Sequence, residues 1–203
     1  MEMLRVVLDI VVTGCVVVFG AAWLLGALYF GLREPSRMLQ GMAKSMGARL
    51  ILVAVVVVIL IVVGPHRAQY AHALQFWQPE LAVLGALVAV AATALLVWAR
   101  WVLGTMWASV PLVQRGHRLV TSGPYALVRH PIYTGLLGLA FGAMLTYGFG
   151  VYLIVMALAI PFIWRRVRVE DRMMATTFGE EYTAYRGEVP ALLPSLRRTP
   201  APR

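Results

Sequence analysis

Five stretches of the chain are apolar almost without interruption, and its polar residues are gathered between them. The first run covers about 10–31, IVVTGCVVVFGAAWLLGALYFG. The second, about 47–64, contains LILVAVVVVILIVVG, with Arg49 placed to snorkel at its end. The third, about 81–103, is LAVLGALVAVAATALLVWARWVL. Runs of this kind have the length a helix needs to cross a bilayer. Two shorter runs, about 132–146 and 149–164, are separated only by TYGFG, which predicts a tight helical hairpin with glycine relaxing the turn. The runs are continuous rather than amphipathic, as in spanning helices and unlike a surface-bound protein. Strand-type alternation is absent, which argues against a β-barrel. The expected fold is an all-α integral membrane protein with five transmembrane helices, the last two a short helical hairpin, plus a cytoplasmic C-terminal helix.

Composition supports the same class: 61% of the 203 residues are hydrophobic and only 13% charged. The net charge of +9 would suggest nucleic acid in a soluble protein, but here its distribution follows the positive-inside rule. Residues 32–49 carry Arg33, Arg37, Lys44 and Arg49 against Glu34, and 100–131 carry Arg100, Arg115, Arg118 and Arg129 without an acid. After 164 come Arg165, Arg166, Arg168 and Arg172. By contrast, 64–80 holds only Arg67 and Glu80, and the hairpin tip is uncharged. The chain is therefore expected to be N-out and C-in. The polar segment 104–131 and the tail 165–194 then share the cytoplasmic face. Glu2 and Asp9 precede the first run where a cleavable signal would be basic, so none is expected. The division expected is a three-span region at 1–103, a polar-and-hairpin region at 104–196 and a disordered tail at 197–203. The lone Cys15 has no partner in the chain for a disulfide. His66 and His72 lack metal-ligand spacing to any acid or thiol cluster, so no metal is expected. No internal repeat points to a transporter. Gly14, Gly20, Gly26 and Gly31 permit close helix contact and leave the oligomeric state open.

Two polar stretches on the cytoplasmic side stand out. In GPYALVRHPIYTG (123–135), Pro131 suits the first turn of the fourth span, and His130 before it should lie just outside the helix. The helix N-terminus with Arg129 beside it is suited to a carboxylate or phosphate. An interfacial belt of Tyr125, Arg129 and Tyr133 explains the same residues equally well. In RRVRVEDRMMATTFGEEYTAYR (165–186), helical spacing sets Glu170 in line with Met174 and Phe178, which would turn it inward. The alternative is a solvated pair with Arg166 one turn earlier. Asp171 is read as a surface partner of Arg168 or Arg172. Gly179 should break the helix, with Glu180 and Glu181 opening the next.

Together these stretches resemble the isoprenylcysteine carboxyl methyltransferase and phospholipid N-methyltransferase group of integral membrane enzymes. HRLVTSGPYALVRHPIYTG followed by RVEDRMMATTFGEEYTAYRGEVPALLP carries the resemblance over about 103–196, and LGTMW at 103–107 is similar to the stretch before the motif in bacterial members. The resemblance implies methyl transfer from S-adenosyl-L-methionine, with S-adenosyl-L-homocysteine as product, and without a Rossmann domain. It implies a cofactor pocket lined by His117, Leu119, Val120, Gly123, Tyr125, Arg129, His130, Tyr133 and Glu170. The family's second acid is Asp171 here, one methylene shorter. A lipophilic membrane lipid or isoprenoid acceptor would enter laterally from the bilayer. A carboxylate acceptor needs a cation to position it, for which Arg172 or Arg186 are the candidates, so Arg129, Glu170, Arg172 and Arg186 form the expected catalytic set. An amine acceptor must lose a proton, for which Asp171 or Glu188 would serve. Alternatives are an NADPH-dependent enzyme of the steroid 5-reductase type and a structural membrane protein whose clusters are only anchors.

Overall fold

Prolines and glycines punctuate the chain where its helices begin and end. The computed structural model describes residues 1–33, 76–104 and 119–194. The span expected at 47–64, His117 and the tail 197–203 lie outside the described residues. The described elements are α1 (Glu2–Arg33), α2 (Pro79–Leu103), a 3₁₀ turn (Gly123–Ala126), α3 (Pro131–Tyr147), α4 (Gly150–Phe178) and α5 (Glu180–Glu188). The protein is thus all-helical in its described elements. Among the described residues three helices are long and apolar enough to cross a membrane, in Glu2–Gly26, Pro79–Leu103 and Gly150–Phe178, while the apolar α3 is shorter. Apolar side chains such as Leu25, Leu87 and Leu158 remain largely exposed, the surface expected of helices that meet lipid.

Proline opens α2 and α3, where the missing N–H is no loss. His130, at φ −124° and ψ 60°, stays outside α3 as its capping residue. Gly148, with φ 83°, ends α3 in the left-handed conformation that glycine adopts at little cost, and α4 starts two residues later. At Gly179, φ 56° ends α4, and Glu180 and Glu181 open α5 in the turn where the helix dipole favours acids.

The core is a seam of small residues between α2 and α3. Ala82, Ala86, Ala89, Ala92 and Leu96 are buried along one face of α2. A Cβ on Gly85 would fall 2.6 Å from the Gly142 carbonyl oxygen, and one on Gly142 would fall 2.7 Å from that of Gly85. The backbones meet because neither residue has a side chain. Close approach of this kind is how helices associate in a membrane, where apolar burial gives them little reason to. Leu8, Val12 and Cys15 of α1 complete the cluster.

The two ends of the bundle differ in chemistry. At one, the Arg5 guanidinium lies 4.2 Å over the Trp77 ring, Trp77 donates to the Thr146 carbonyl at 3.1 Å, and Tyr147 donates to Asp9 at 2.8 Å. The starts of α1 and α2 and the end of α3 therefore sit together. At the other end, the 3₁₀ turn lies against the end of α2, with Gly123 beside Val102 and Trp98. There α3 begins, and α4 runs on past its apolar part.

Candidate functional site

The stripe that α4 turns toward its neighbours is Ile163, Val167 and Asp171, at i, i+4 and i+8. A carboxylate thus ends a row of buried aliphatic side chains. Glu170, one residue earlier, is rotated by about 100° and is more open, its side chain 23% exposed against 9% for Asp171.

Three donors from separate parts of the chain converge on Asp171. His130 Nε2 lies 2.8 Å from Oδ1, Arg129 Nη2 donates to Oδ2 at 3.0 Å, and the Tyr182 hydroxyl donates to Oδ1. Since a carboxylate only accepts, His130 must carry a proton on Nε2. Its Nδ1 then faces Glu170 Oε2 at 3.6 Å. Glu170 Oε1 accepts from the Tyr133 hydroxyl and from Arg166 Nη2 at 2.9 Å. Arg166 Nε also approaches the Tyr133 hydroxyl at 3.4 Å.

Behind this cluster the chain after α5 forms a strap across the start of α3. The Arg129 and His130 amides donate to the carbonyls of Pro190 (2.8 Å) and Ala191 (3.0 Å). The Thr134 hydroxyl donates to the Leu192 carbonyl at 2.6 Å. Arg129 Nη1 donates to the carbonyls of Arg186, at 3.0 Å, and Val189. The Tyr185 hydroxyl reaches back to the Tyr125 carbonyl, tying α5 to the 3₁₀ turn. Burial raises the Tyr182 hydroxyl well above its ordinary pKa, and the Asp171 carboxylate adds to the effect. Burial and Asp171 push Tyr185 up to about 12, opposed by the Arg129 charge. Tyr125 is likewise raised by burial. All three are therefore neutral at physiological pH. The Tyr125 hydroxyl and Arg129 Nε are buried without a hydrogen-bond partner among the described residues, an uncommon condition that suits a polar ligand at this place.

Of the residues singled out in the sequence, Arg129, His130, Tyr133 and Glu170 come together in this cluster. Gly123 and Tyr125 stand in the adjoining 3₁₀ turn, with the half-buried Leu119 and Val120 just before it. Arg172 and Arg186 are exposed, and Arg186 serves the strap through its carbonyl instead. One departure from the sequence expectations is specific: Asp171 faces the interior and pairs with Arg129 and His130, not with Arg168 or Arg172. Just before the helix start expected to suit an anion, the amides of Arg129 and His130 are bonded to the strap. Arg166 does pair with Glu170, as the surface reading had it, but it also joins Tyr133. Arg100, counted only as an orienting charge, is buried at the end of α2 and donates to the Gly104 carbonyl at 3.1 Å. Tyr182 was given no role of its own, although it lies in the stretch that carries the resemblance and its spacing from Tyr185 puts both rings on one face of α5.

Comparison with known proteins places these residues in a family context. Residues 83–176 match the isoprenylcysteine carboxyl methyltransferase (ICMT) family model. A protein-S-isoprenylcysteine O-methyltransferase of Schizosaccharomyces pombe is 36% identical over 81 residues, 39% of this chain and 34% of its own. A cobalt-zinc-cadmium resistance protein, CzcN, of Cupriavidus metallidurans is 41% identical over 99 residues, 46% of this chain and 44% of its own. A methanethiol S-methyltransferase of Pseudomonas deceptionensis is 38% identical over 76 residues, 37% of this chain and 28% of its own. The matches thus span between about a quarter and a half of these relatives' lengths. The matched segment runs from within α2 through the Arg129–His130 loop and both α4 acids, and over that segment the chain carries the pattern of the isoprenylcysteine carboxyl methyltransferase family of membrane methyltransferases.

Proposed function

We propose that the protein transfers a methyl group from S-adenosyl-L-methionine to a lipophilic acceptor that reaches the site laterally from the membrane. The acceptor favoured is a carboxylate, as in isoprenylcysteine methyl esterification, and S-adenosyl-L-homocysteine is the second product. The observation that carries the reading is the closing of the Arg129–His130 loop onto Glu170 and Asp171 inside the family-matched segment.

The residues present fit such a cofactor. Glu170 is the more open of the two acids and suits ribose hydroxyls or an ammonium group. The unpartnered Tyr125 hydroxyl and Arg129 Nε supply donors beside it. The Tyr133 ring, 5.9 Å from that of His130, offers a face to an adenine or a sulfonium. His117, Leu119, Val120 and Gly123 complete the proposed lining. When bound, the cofactor supplies an electrophilic methyl group on a cationic sulfur. Because charge is neutralised during transfer, the chain's contribution is alignment and the exclusion of water. A carboxylate acceptor is already nucleophilic and needs only a positioning cation, the role assigned to Arg172 or Arg186. An amine acceptor needs a base. Asp171 is a poor one, because its carboxylate already accepts three protein donors, which leaves Glu188 for that reading.

The proposed topology has five spans, N-out and C-in, with the site at the cytoplasmic face. Its support is geometric as well as electrostatic. The starts of α1 and α2 lie together, so the two helices run in the same direction, as the first and third of five spans would. Functionally, 1–103 then forms a three-span scaffold and 104–196 the catalytic region.

Thermal unfolding of the purified protein with S-adenosyl-L-methionine or NADPH separates the enzyme classes, because only a ligand that binds the native state raises the melting temperature. Stabilisation by S-adenosyl-L-methionine alone is expected. Stabilisation by NADPH alone would overturn the reading in favour of a reductase, and a response to neither would leave the clusters as anchors.

A further inference from the structure

Two acids stand side by side on α4, and the structure gives them different work. We infer that Asp171 is a positioning residue: it holds Arg129 and His130 in place, and through Arg129 the end of α5 and the strap that follows it, so that Glu170 is left as the acid a ligand meets. The inference rests on the proposed cofactor reading only for the identity of that ligand.

The linkage can be followed atom by atom. Asp171 Oδ2 takes Arg129 Nη2 at 3.0 Å, and the other end of the same guanidinium, Nη1, donates to the Arg186 and Val189 carbonyls. One planar cation therefore joins α4 to the strap. Its fork fixes both directions at once, which a single-point ammonium would not. Asp171 Oδ1 takes His130 Nε2 at 2.8 Å, which settles the proton on that nitrogen and turns Nδ1 toward Glu170 Oε2, 3.6 Å away. Tyr182 closes the arrangement from α5. Asp171 thus gathers the loop before α3, α4 and α5 around one carboxylate with little exposure, its side chain 9% accessible. Glu170 is held more loosely: its partners are Tyr133, the half-exposed Arg166 and, at 3.6 Å, His130 Nδ1. The one-methylene difference fits the division. A longer side chain at 171 would have to displace donors already at 2.8 and 3.0 Å.

The test compares wild type with Asp171→Asn, Glu170→Gln and Tyr182→Phe, each purified in detergent. Three properties are read: the nitrogen-15 resonances of His130, assigned with a His130→Gln sample; the rate of tryptic cleavage at Arg186; and the dissociation constant for S-adenosyl-L-methionine. Asp171→Asn is expected to shift the His130 Nε2 resonance, to speed cleavage at Arg186 and to weaken cofactor binding about tenfold, as loss of a charged hydrogen bond would. Glu170→Gln should weaken binding while Arg186 stays protected. Tyr182→Phe keeps the ring and removes one donor, so it should move the histidine signal and the cleavage in the same direction by less. Should Asp171→Asn fail to fold, Tyr182→Phe decides alone. An unmoved histidine signal with an Arg186 as protected as in wild type, in whichever of these variants folds, would overturn the inference. If wild type itself binds no S-adenosyl-L-methionine, the functional reading falls, while the histidine signal and the cleavage rate still decide the role of Asp171.

Discussion

Removing the Arg129 guanidinium should cost more than any other single truncation at the end of the bundle that carries the candidate site. Its side chain is 8% exposed and its partner Asp171 9%, with 3.0 Å between charged atoms. Arg129→Ala would leave a buried carboxylate short of its cation and the Arg186 and Val189 carbonyls short of a donor. Breaking one side of a buried pair costs about 3–5 kcal/mol. His130 and Tyr182 still donate to Asp171, which places the expected loss near the lower end, about 3 kcal/mol. A double-mutant cycle isolates the pair from the strap contacts: Arg129→Met, Asp171→Leu and the two together. Denaturant unfolding in mixed micelles, followed by circular dichroism, gives each free energy. The double variant should lose about 1–3 kcal/mol less than the sum of the singles, because the second change removes a charge already stranded by the first. Losses that add to within about 0.5 kcal/mol, or an Arg129→Ala cost below about 1 kcal/mol, would refute a coupled, buried pair.

Other outcomes follow from the same geometry. Gly142→Leu would drive a side chain into the Gly85 carbonyl and the Ala89 amide, so it should separate α2 from α3 and cost at least the about 1–3 kcal/mol of overpacking, read in the same unfolding assay. Tyr182 and Tyr185 should titrate later than ordinary tyrosines, Tyr185 near about 12, in a spectrophotometric titration of the folded protein that Tyr182→Phe and Tyr185→Phe simplify. Their folded pKa values lie above the unfolded ones, so the stability they lend is complete below about pH 10 and is lost as pH rises through the folded values. Arg172→Ala and Arg186→Ala, both exposed, should leave cofactor affinity unchanged and raise KM for a carboxylate acceptor. Equal KM for wild type and both variants would remove them from the site.

The local elements were legible because their signals are local. Pro131 fixed where α3 begins, TYGFG gave the hairpin its short turn, and Gly179 separated α4 from α5. The three described helices that are apolar and long enough to cross a membrane follow from uninterrupted hydrophobic runs. The pairing within the site was less accessible. Asp171 sits between Glu170 and Arg172, with Arg168 a turn earlier on its own helix, and those nearby partners hid the distant ones. A register signal did exist: counting Ile163, Val167 and Asp171 as one face shows a carboxylate extending an apolar stripe. Nothing comparable marks the strap. Its carbonyls are backbone groups, present at every residue, and Arg129 reaches them across 57 and 60 positions of chain. The loop just before α3 is tied through its own backbone to a segment about 60 residues further along the chain.

A methyl-transfer assay bears on all of this at once. Membranes carrying the protein are given S-adenosyl-L-methionine labelled in its methyl group and, separately, a prenylcysteine, phosphatidylethanolamine, a thiol and a free isoprenoid acid. Base-labile label in the prenylcysteine or isoprenoid fraction, lost in Glu170→Gln, is the expected result. Label confined to the amine lipid or the thiol would move the acceptor while keeping the site. No transfer to any acceptor, from protein that also fails to bind S-adenosyl-L-methionine, would contradict the assignment of this cluster to methyl transfer.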